Sequence, residues 1–209
     1  MTGGPAPGAG ARIGLLGGSF DPPHLAHLAL ARVALQGLHL DELRWLPAGQ
    51  PWQKAARALQ PAAHRAAMVR LLIEGEPRFM LDERELRRPG PTYTVDTVRA
   101  CRAEQPGAEF FLILGQDQYG RLDTWRDWPA LLSQVTLAVA ARHGQRPCPP
   151  AALAGHPHRV EVLPMPDMPL ASTSLREALS QGLDVSPMVG GAVAGYIARH
   201  HLYRGPTPT

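Results

Sequence analysis

Two histidines three residues apart, His24 and His27, stand directly behind a Gly-Gly and an Asp-Pro-Pro; the stretch 17–27 is GGSFDPPHLAH. Gly17 and Gly18 end an apolar run and let the backbone come close to a ligand. Asp21 followed by Pro22 suits the cap and the first position of a helix. Helix N-termini attract phosphate through their free N–H groups and dipole. Two imidazoles at i and i+3 share a face there and can donate hydrogen bonds to that phosphate. The competing reading is a pair of half-buried histidines with structural partners. The glycine turn, the proline-primed helix and the paired spacing together favour phosphate chemistry. Further along, Lys54 is the only lysine among 21 basic residues. An ammonium is a compact charge that can meet a phosphate where a planar guanidinium fork does not fit.

The elements that must place these residues alternate along the chain. Strand-like runs cover 12–17, 42–47, 78–83, 109–115, 135–142 and 159–165. Helical patterns cover 27–38, 62–75, 95–105, 173–182 and 188–201. This alternation predicts an α/β fold: Rossmann-like, doubly wound, with a mostly parallel sheet in a single domain. In such sheets ligands bind outside the carboxyl ends of the strands. The four unusual loops that follow strands, GGSFDPPHLAH, PAGQPWQK, GQDQYGRLDTW and the one ending in STSLR, should therefore face one edge.

Composition sets the frame. The 209 residues are 44% hydrophobic, which suits one domain at 12–204, flanked by disordered tails at 1–11 and 205–209. No run of about 18 apolar residues is present, so no membrane contact is expected. The N-terminal stretch has no apolar core like that of a signal peptide. Cys101 and Cys148 form no CxxC pair; a reducing, cytoplasmic setting is expected. The net charge of +3 favours anionic partners weakly, and the scattered basic residues do not suggest a nucleic-acid surface. There is no GxxxxGK[ST] loop. GAGARI (8–13) lacks the third glycine and precedes a strand when it should follow one.

The stretch 17–27 resembles the GG[ST]FDPxHxGH signature of the nucleotidyltransferase superfamily with the HxGH motif. LDERELRRPGPTYTVDTV (81–98), LGQDQYGRLDTW (114–125), STSLR (172–176) and the terminal YIARHHLY narrow the likeness to bacterial nicotinate-nucleotide adenylyltransferases, over roughly residues 12–204. That resemblance implies transfer of the adenylyl group of ATP to nicotinate mononucleotide, with Mg²⁺, giving nicotinate adenine dinucleotide and pyrophosphate. Alternatives are the same fold acting on nicotinamide mononucleotide or pantetheine phosphate, and a nucleotide-binding regulator without turnover.

Roles follow from the same resemblance. His24, His27, Lys54 and Arg176 are the expected catalytic set, with His27 at the α-phosphate and Lys54 at the β- and γ-phosphates. Gly17, Gly18, Ser19, Phe20, Gly115, Asp117, Ser172 and Thr173 are expected to bind ATP. Ser172 and Thr173 also suit plain helix capping. Asp21, Thr94, Trp125 and Arg126 are expected on the nicotinate mononucleotide side, where the pyridine ring can stack on an indole. No protein-held metal is expected. Ala26 and Gln53 replace a family glycine and histidine. Trp45, Trp128, Phe110 and Phe111 read as core or interface, ERELRR (83–88) as a solvated charge run, and the histidines at 156, 158, 200 and 201 as non-ligands.

Overall fold

The computed structural model describes residues 10–51, 59–141, 147–166 and 168–204. Its main sheet is built from β1 (Arg12–Gly18), β2 (Glu42–Pro47), β4 (Phe79–Leu81), β6 (Glu109–Gly115), β7 (Thr136–Ala141) and β8 (Val160–Pro164). Every neighbouring pair is parallel, and the order is β4-β2-β1-β6-β7-β8. The direction of winding reverses between β1 and β6. That reversal opens a crevice at the carboxyl ends of those two strands, where Gly18 and Gly115 lie.

The strand sequences explain why helices cover both faces. On β1, Ile13 and Leu15 point to one face and Leu16 to the other, and all three are buried. On β6, Phe110, Leu112 and Leu114 take the first face and Phe111 and Ile113 the second. Burying each such side chain contributes about 1.5–3 kcal/mol, so neither face can remain open. Helix α4 (Thr94–Glu104) and α6 (Trp128–Leu132) cover the first face through Val95, Val98 and Leu131. Helices α1 (Leu25–Gly37), α2 (Ala62–Leu72), α7 (Ser172–Ser180) and α9 (Gly191–Arg199) cover the second, around Trp45, Phe20 and Phe79. The aromatic residues expected in the core are placed accordingly: Trp45, Phe110 and Phe111 are buried. Trp128 is half-buried and packs edge-on to His156.

Three expectations change. The helix expected over 188–201 is two helices, α8 (Ser186–Val189) and α9, because Gly190 takes a positive φ of 83° between them. The run ERELRR contains helix α3 (Arg84–Arg87), and its Glu85 is buried. The loop after β2 forms a short strand, β3 (Gln50–Pro51), parallel to β5 (Pro91–Thr92). Gly49 permits that pairing: a Cβ there would stand 2.2 Å from the Glu85 carbonyl oxygen. The packed chain also starts earlier than expected, since the Gly10 N–H bonds the Gly107 carbonyl and Ala11 is buried.

Candidate active site

The four loops that follow β1, β2, β6 and β8 meet around a cleft of about 960 Å³ at the carboxyl edge of the sheet. Gly17, Gly18, Ser19, Phe20, His24, Ala26 and His27 line it from the first loop, and Ala48 from the second. Gly115, Asp117 and Trp125 enter from the third, and Ser172, Thr173 and Arg176 from the fourth. Thr94, at the start of α4, closes the same cleft.

The first loop departs from the local reading in one respect. Asp21 and Pro22 do not start the helix; His24 is its cap, in an extended conformation, and α1 begins at Leu25. Asp21 is unavailable as a cap because its carboxylate, 2% exposed, accepts a 2.6 Å hydrogen bond from the Tyr203 hydroxyl. Asp21 is also absent from the cleft lining, so its expected contact with the mononucleotide gives way to a role inside the fold.

The histidine pair thus occupies the cap and third positions. The rings stack at 3.7 Å between centroids, tilted by 24°. The backbone N–H of His24 donates to Nδ1 of His27 at 3.2 Å. In its neutral form His27 therefore carries its proton on Nε2. Phe20 packs edge-on against the His27 ring at 5.1 Å and backs onto Trp45. Phe20 lines the cleft as expected of an ATP-site residue, and its largely buried ring also braces His27. Ala26, which replaces the family glycine, adds a methyl group to the cleft wall.

Burial lowers the His24 pKa from 6.5 to about 4. Between those values the unfolded chain takes a proton on this ring and the folded chain does not. Stability should therefore fall as pH drops through that window, by about 3 kcal/mol in total. We expect urea titrations of the ligand-free protein at pH 7, 5.5 and 4.5 to show this loss, and His24→Gln to remove most of its slope. An unchanged slope in the variant would place the acid sensitivity elsewhere.

The fourth loop is sewn to the first. Ser172 Oγ donates to the Pro22 carbonyl at 2.9 Å, and Arg176 donates to the Asp21 carbonyl at 2.5 Å and to Thr173 Oγ1 at 2.9 Å. Neither Ser172 nor Thr173 caps α7, whose cap is Ala171. Across the cleft, Asp117 is exposed on the first turn of a short helix, α5 (Gln116–Tyr119). Trp125 is half-buried at the lining. Arg126 turns away: it is exposed, absent from the lining, and its guanidinium lies 4.5 Å from the centre of the Tyr93 ring. Lys54 and Gln53 lie outside the described residues.

Glu85 is a cleft residue that the sequence reading left among solvated charges. Its carboxylate accepts from the Thr97 hydroxyl at 2.8 Å. Burial raises its pKa, and hydrogen bonds from Thr97 and Thr92 oppose that rise. The clue available beforehand was its nearness to the Thr-Tyr-Thr segment.

Three buried side-chain N–H donors among the described residues have no hydrogen-bond partner: Trp125 Nε1, Arg176 Nε and Trp45 Nε1. The first two belong to cleft-lining residues. Leaving a buried donor unpaired costs about 1–3 kcal/mol, so a bound molecule rich in acceptors would remove both costs together.

Known proteins share this chain's features. The cytidylyltransferase-like family model matches residues 15–178. A probable nicotinate-nucleotide adenylyltransferase of Methylibium petroleiphilum is 54% identical over 93% of this chain and 93% of its own. The chain belongs to the nicotinate-nucleotide adenylyltransferase family. A member from Bordetella petrii is 47% identical over 92% of this chain and 99% of its own. Among solved structures, a Plasmodium falciparum nicotinic acid mononucleotide adenylyltransferase complexed with APC has the same fold, with a TM-score of 0.74 and 18% identity. The alignment covers 92% of this chain and 97% of that one. The doubly wound nicotinate-nucleotide adenylyltransferase fold thus carries the histidine pair, the Arg176 loop and Trp125 on one cleft.

Proposed function

We propose that this chain transfers the adenylyl group of ATP to nicotinate mononucleotide, releasing pyrophosphate. The carrying observation is the pair of buried, unpartnered N–H donors on cleft-lining residues, Arg176 Nε and Trp125 Nε1, from two different loops. A triphosphate and a pyridine nucleotide laid side by side would give them acceptors or neighbours.

The 5′-phosphate of the mononucleotide attacks the α-phosphorus of ATP. A new P–O bond forms as the bond to the β-phosphate oxygen breaks, and pyrophosphate leaves with the electron pair. The chain need supply no nucleophile; positioning and charge stabilisation account for the rate. His27, with Nε2–H as the donor of its neutral ring, meets the α-phosphate as negative charge builds on it. His24 and Arg176 hold the triphosphate, with Ser172 keeping the Arg176 loop against the first loop and Thr173 orienting the guanidinium. Gly17 has open space where a side chain would begin, which lets backbone approach the nucleotide. Lys54 is assigned to the β- and γ-phosphates from the sequence alone.

Mg²⁺ accompanies the triphosphate and offsets its charge. Among the described residues no group of three or more His, Cys, Asp or Glu side chains could hold a metal ion. Asp117, whose exposed carboxylate lines the cleft, would be the side chain to meet the water shell of an ion carried by the nucleotide.

On the pyridine side, α4 begins at Thr94, and its first two N–H groups, of Thr94 and Val95, precede the first bonds to the Tyr93 carbonyl, made by Asp96 and Thr97. These donors suit a carboxylate. An amide would bring its own NH₂ against one of them and leave both unpaired, at about 1–3 kcal/mol. Nicotinate mononucleotide should be preferred over nicotinamide mononucleotide by roughly tenfold or more in kcat/KM. Stacking on Trp125 serves both, so Trp125→Ala should weaken both and keep their ratio. Steady-state kinetics with the two mononucleotides decide this. Equal wild-type values would refute the donor pocket, and a collapsed ratio in the variant would make Trp125 the discriminating element.

A further inference from the structure

Behind the cleft wall lie an arginine and an aspartate that bond to cleft-lining residues. Arg65, on α2, is 2% exposed, and Asp21 is buried to the same degree. Neither lines the cleft, and neither does Tyr203. Burying a guanidinium is costly unless its donors are met. Arg65 meets its own with three carbonyls from three separate segments: Ser19 at 2.9 Å, Gln60 at 3.0 Å and Gly49 at 3.4 Å. Each of the three segments reaches the cleft, at Ser19 itself and at the adjoining Leu59 and Ala48. Burial lowers the Arg65 pKa, and the charge of Asp21 works against that.

Asp21 closes the arrangement from the other side. Its carboxylate accepts from Tyr203, beyond the last helix, and its carbonyl accepts from Arg176. The turn between Gly18 and His24 is thus held from three directions: by α2, by α7 and by the C-terminal turn. Two of its residues have constrained neighbours as well. Phe20 sits at a φ of 49°, and its ring lies where a Cβ on Gly18 would be only 3.0 Å away. A turn of that shape, carrying the histidine pair at its end, does not hold its place by local preference alone.

We propose that buried Arg65 and Asp21, with half-buried Tyr203, form a positioning set that fixes the histidine-bearing turn for phosphoryl chemistry without touching substrate. A packing role alone would lower stability and leave the active histidines where they are. A positioning role would also move their rings and slow the reacting step. This inference rests on the adenylyl-transfer reading for its kinetic arm and is independent of it for its spectroscopic arm.

Tyr203→Phe is the mildest probe, since it removes one hydroxyl and keeps the ring. At a temperature well below the midpoint of unfolding, kcat with ATP, Mg²⁺ and nicotinate mononucleotide should fall about tenfold, because small misplacements of reacting groups have large rate effects. Both KM values should stay within about twofold. The ring resonances of His24 and His27 should shift in the ligand-free protein. Asp21→Asn should act in the same direction, and adding Tyr203→Phe to it should cost little more, because both act through one contact. Arg65→Lys should lower kcat and restore it only in part relative to Arg65→Met. Wild-type kcat with unmoved histidine resonances in Tyr203→Phe would overturn the proposal, as would full additivity in the double variant. A wild-type protein silent toward every mononucleotide would sink the adenylyl-transfer reading, and the histidine resonances would then decide the positioning set by themselves.

Discussion

Replacing His27 by alanine lowers kcat by roughly a hundred- to a thousandfold and leaves the fold in place. The ring is half-exposed at the cleft, braced by Phe20 on one side and stacked on His24 on the other. Its Nδ1 is taken by the His24 backbone N–H, which leaves Nε2–H as the donor of the neutral ring. A donor aimed at charge that develops only in the transition state is worth about 2.7–4 kcal/mol. Such a donor affects kcat more than KM, because it contributes little in the ground state. Removing the ring also unbinds the His24 N–H. Far-ultraviolet circular dichroism and a thermal scan check the fold, and steady-state kinetics check the rest. A variant within a few-fold of wild-type turnover would make His27 a structural residue.

Arg176→Ala should cost about 3–4 kcal/mol in kcat/KM for ATP, a few hundredfold. The guanidinium does two things. Its bond to the Asp21 carbonyl holds the fourth loop against the first, and its bond to Thr173 Oγ1, within α7, orients the fork. Its Nε–H is buried without a partner, a donor that a phosphate oxygen would meet. Alanine removes both functions. Lysine keeps the charge, yet one ammonium cannot reach the carbonyl, the hydroxyl and a phosphate in the same fork geometry, so Arg176→Lys should recover only part of the loss. The KM for ATP should rise far more than that for the mononucleotide. Equal rises would move Arg176 off the nucleoside triphosphate.

How far the sequence could be read depended on how local each cause was. The strand β6 was legible at its true ends, Glu109–Gly115, because its five consecutive large apolar residues, 110–114, have few alternatives. The histidine pair was legible because its spacing, its glycines and its prolines are contiguous. Asp21 was not, because its partner Tyr203 lies 182 positions away. From the sequence, Asp-Pro before a helix is a cap; in the fold, that carboxylate is claimed by the far end of the chain. Glu85 failed for a related reason. Surrounded by arginines it looks solvated, but the close approach of Gly49 and the hydroxyl of Thr97 draw it into the wall of the cleft. Arg126 shows the reverse. Beside Trp125 it looks like a ligand residue, while the turn directs it onto Tyr93. The break at Gly190 depends on a positive φ that no periodicity reveals.

The most direct measurement follows pyrophosphate and dinucleotide together in the purified wild-type protein, with Mg²⁺-ATP alone and with Mg²⁺-ATP plus nicotinate mononucleotide. Direct transfer between two bound nucleotides predicts no pyrophosphate from ATP alone, and one pyrophosphate for each nicotinate adenine dinucleotide when both substrates are present. Pyrophosphate without the mononucleotide would contradict direct transfer. Silence in both mixtures would contradict catalysis and leave a cleft that only binds nucleotide.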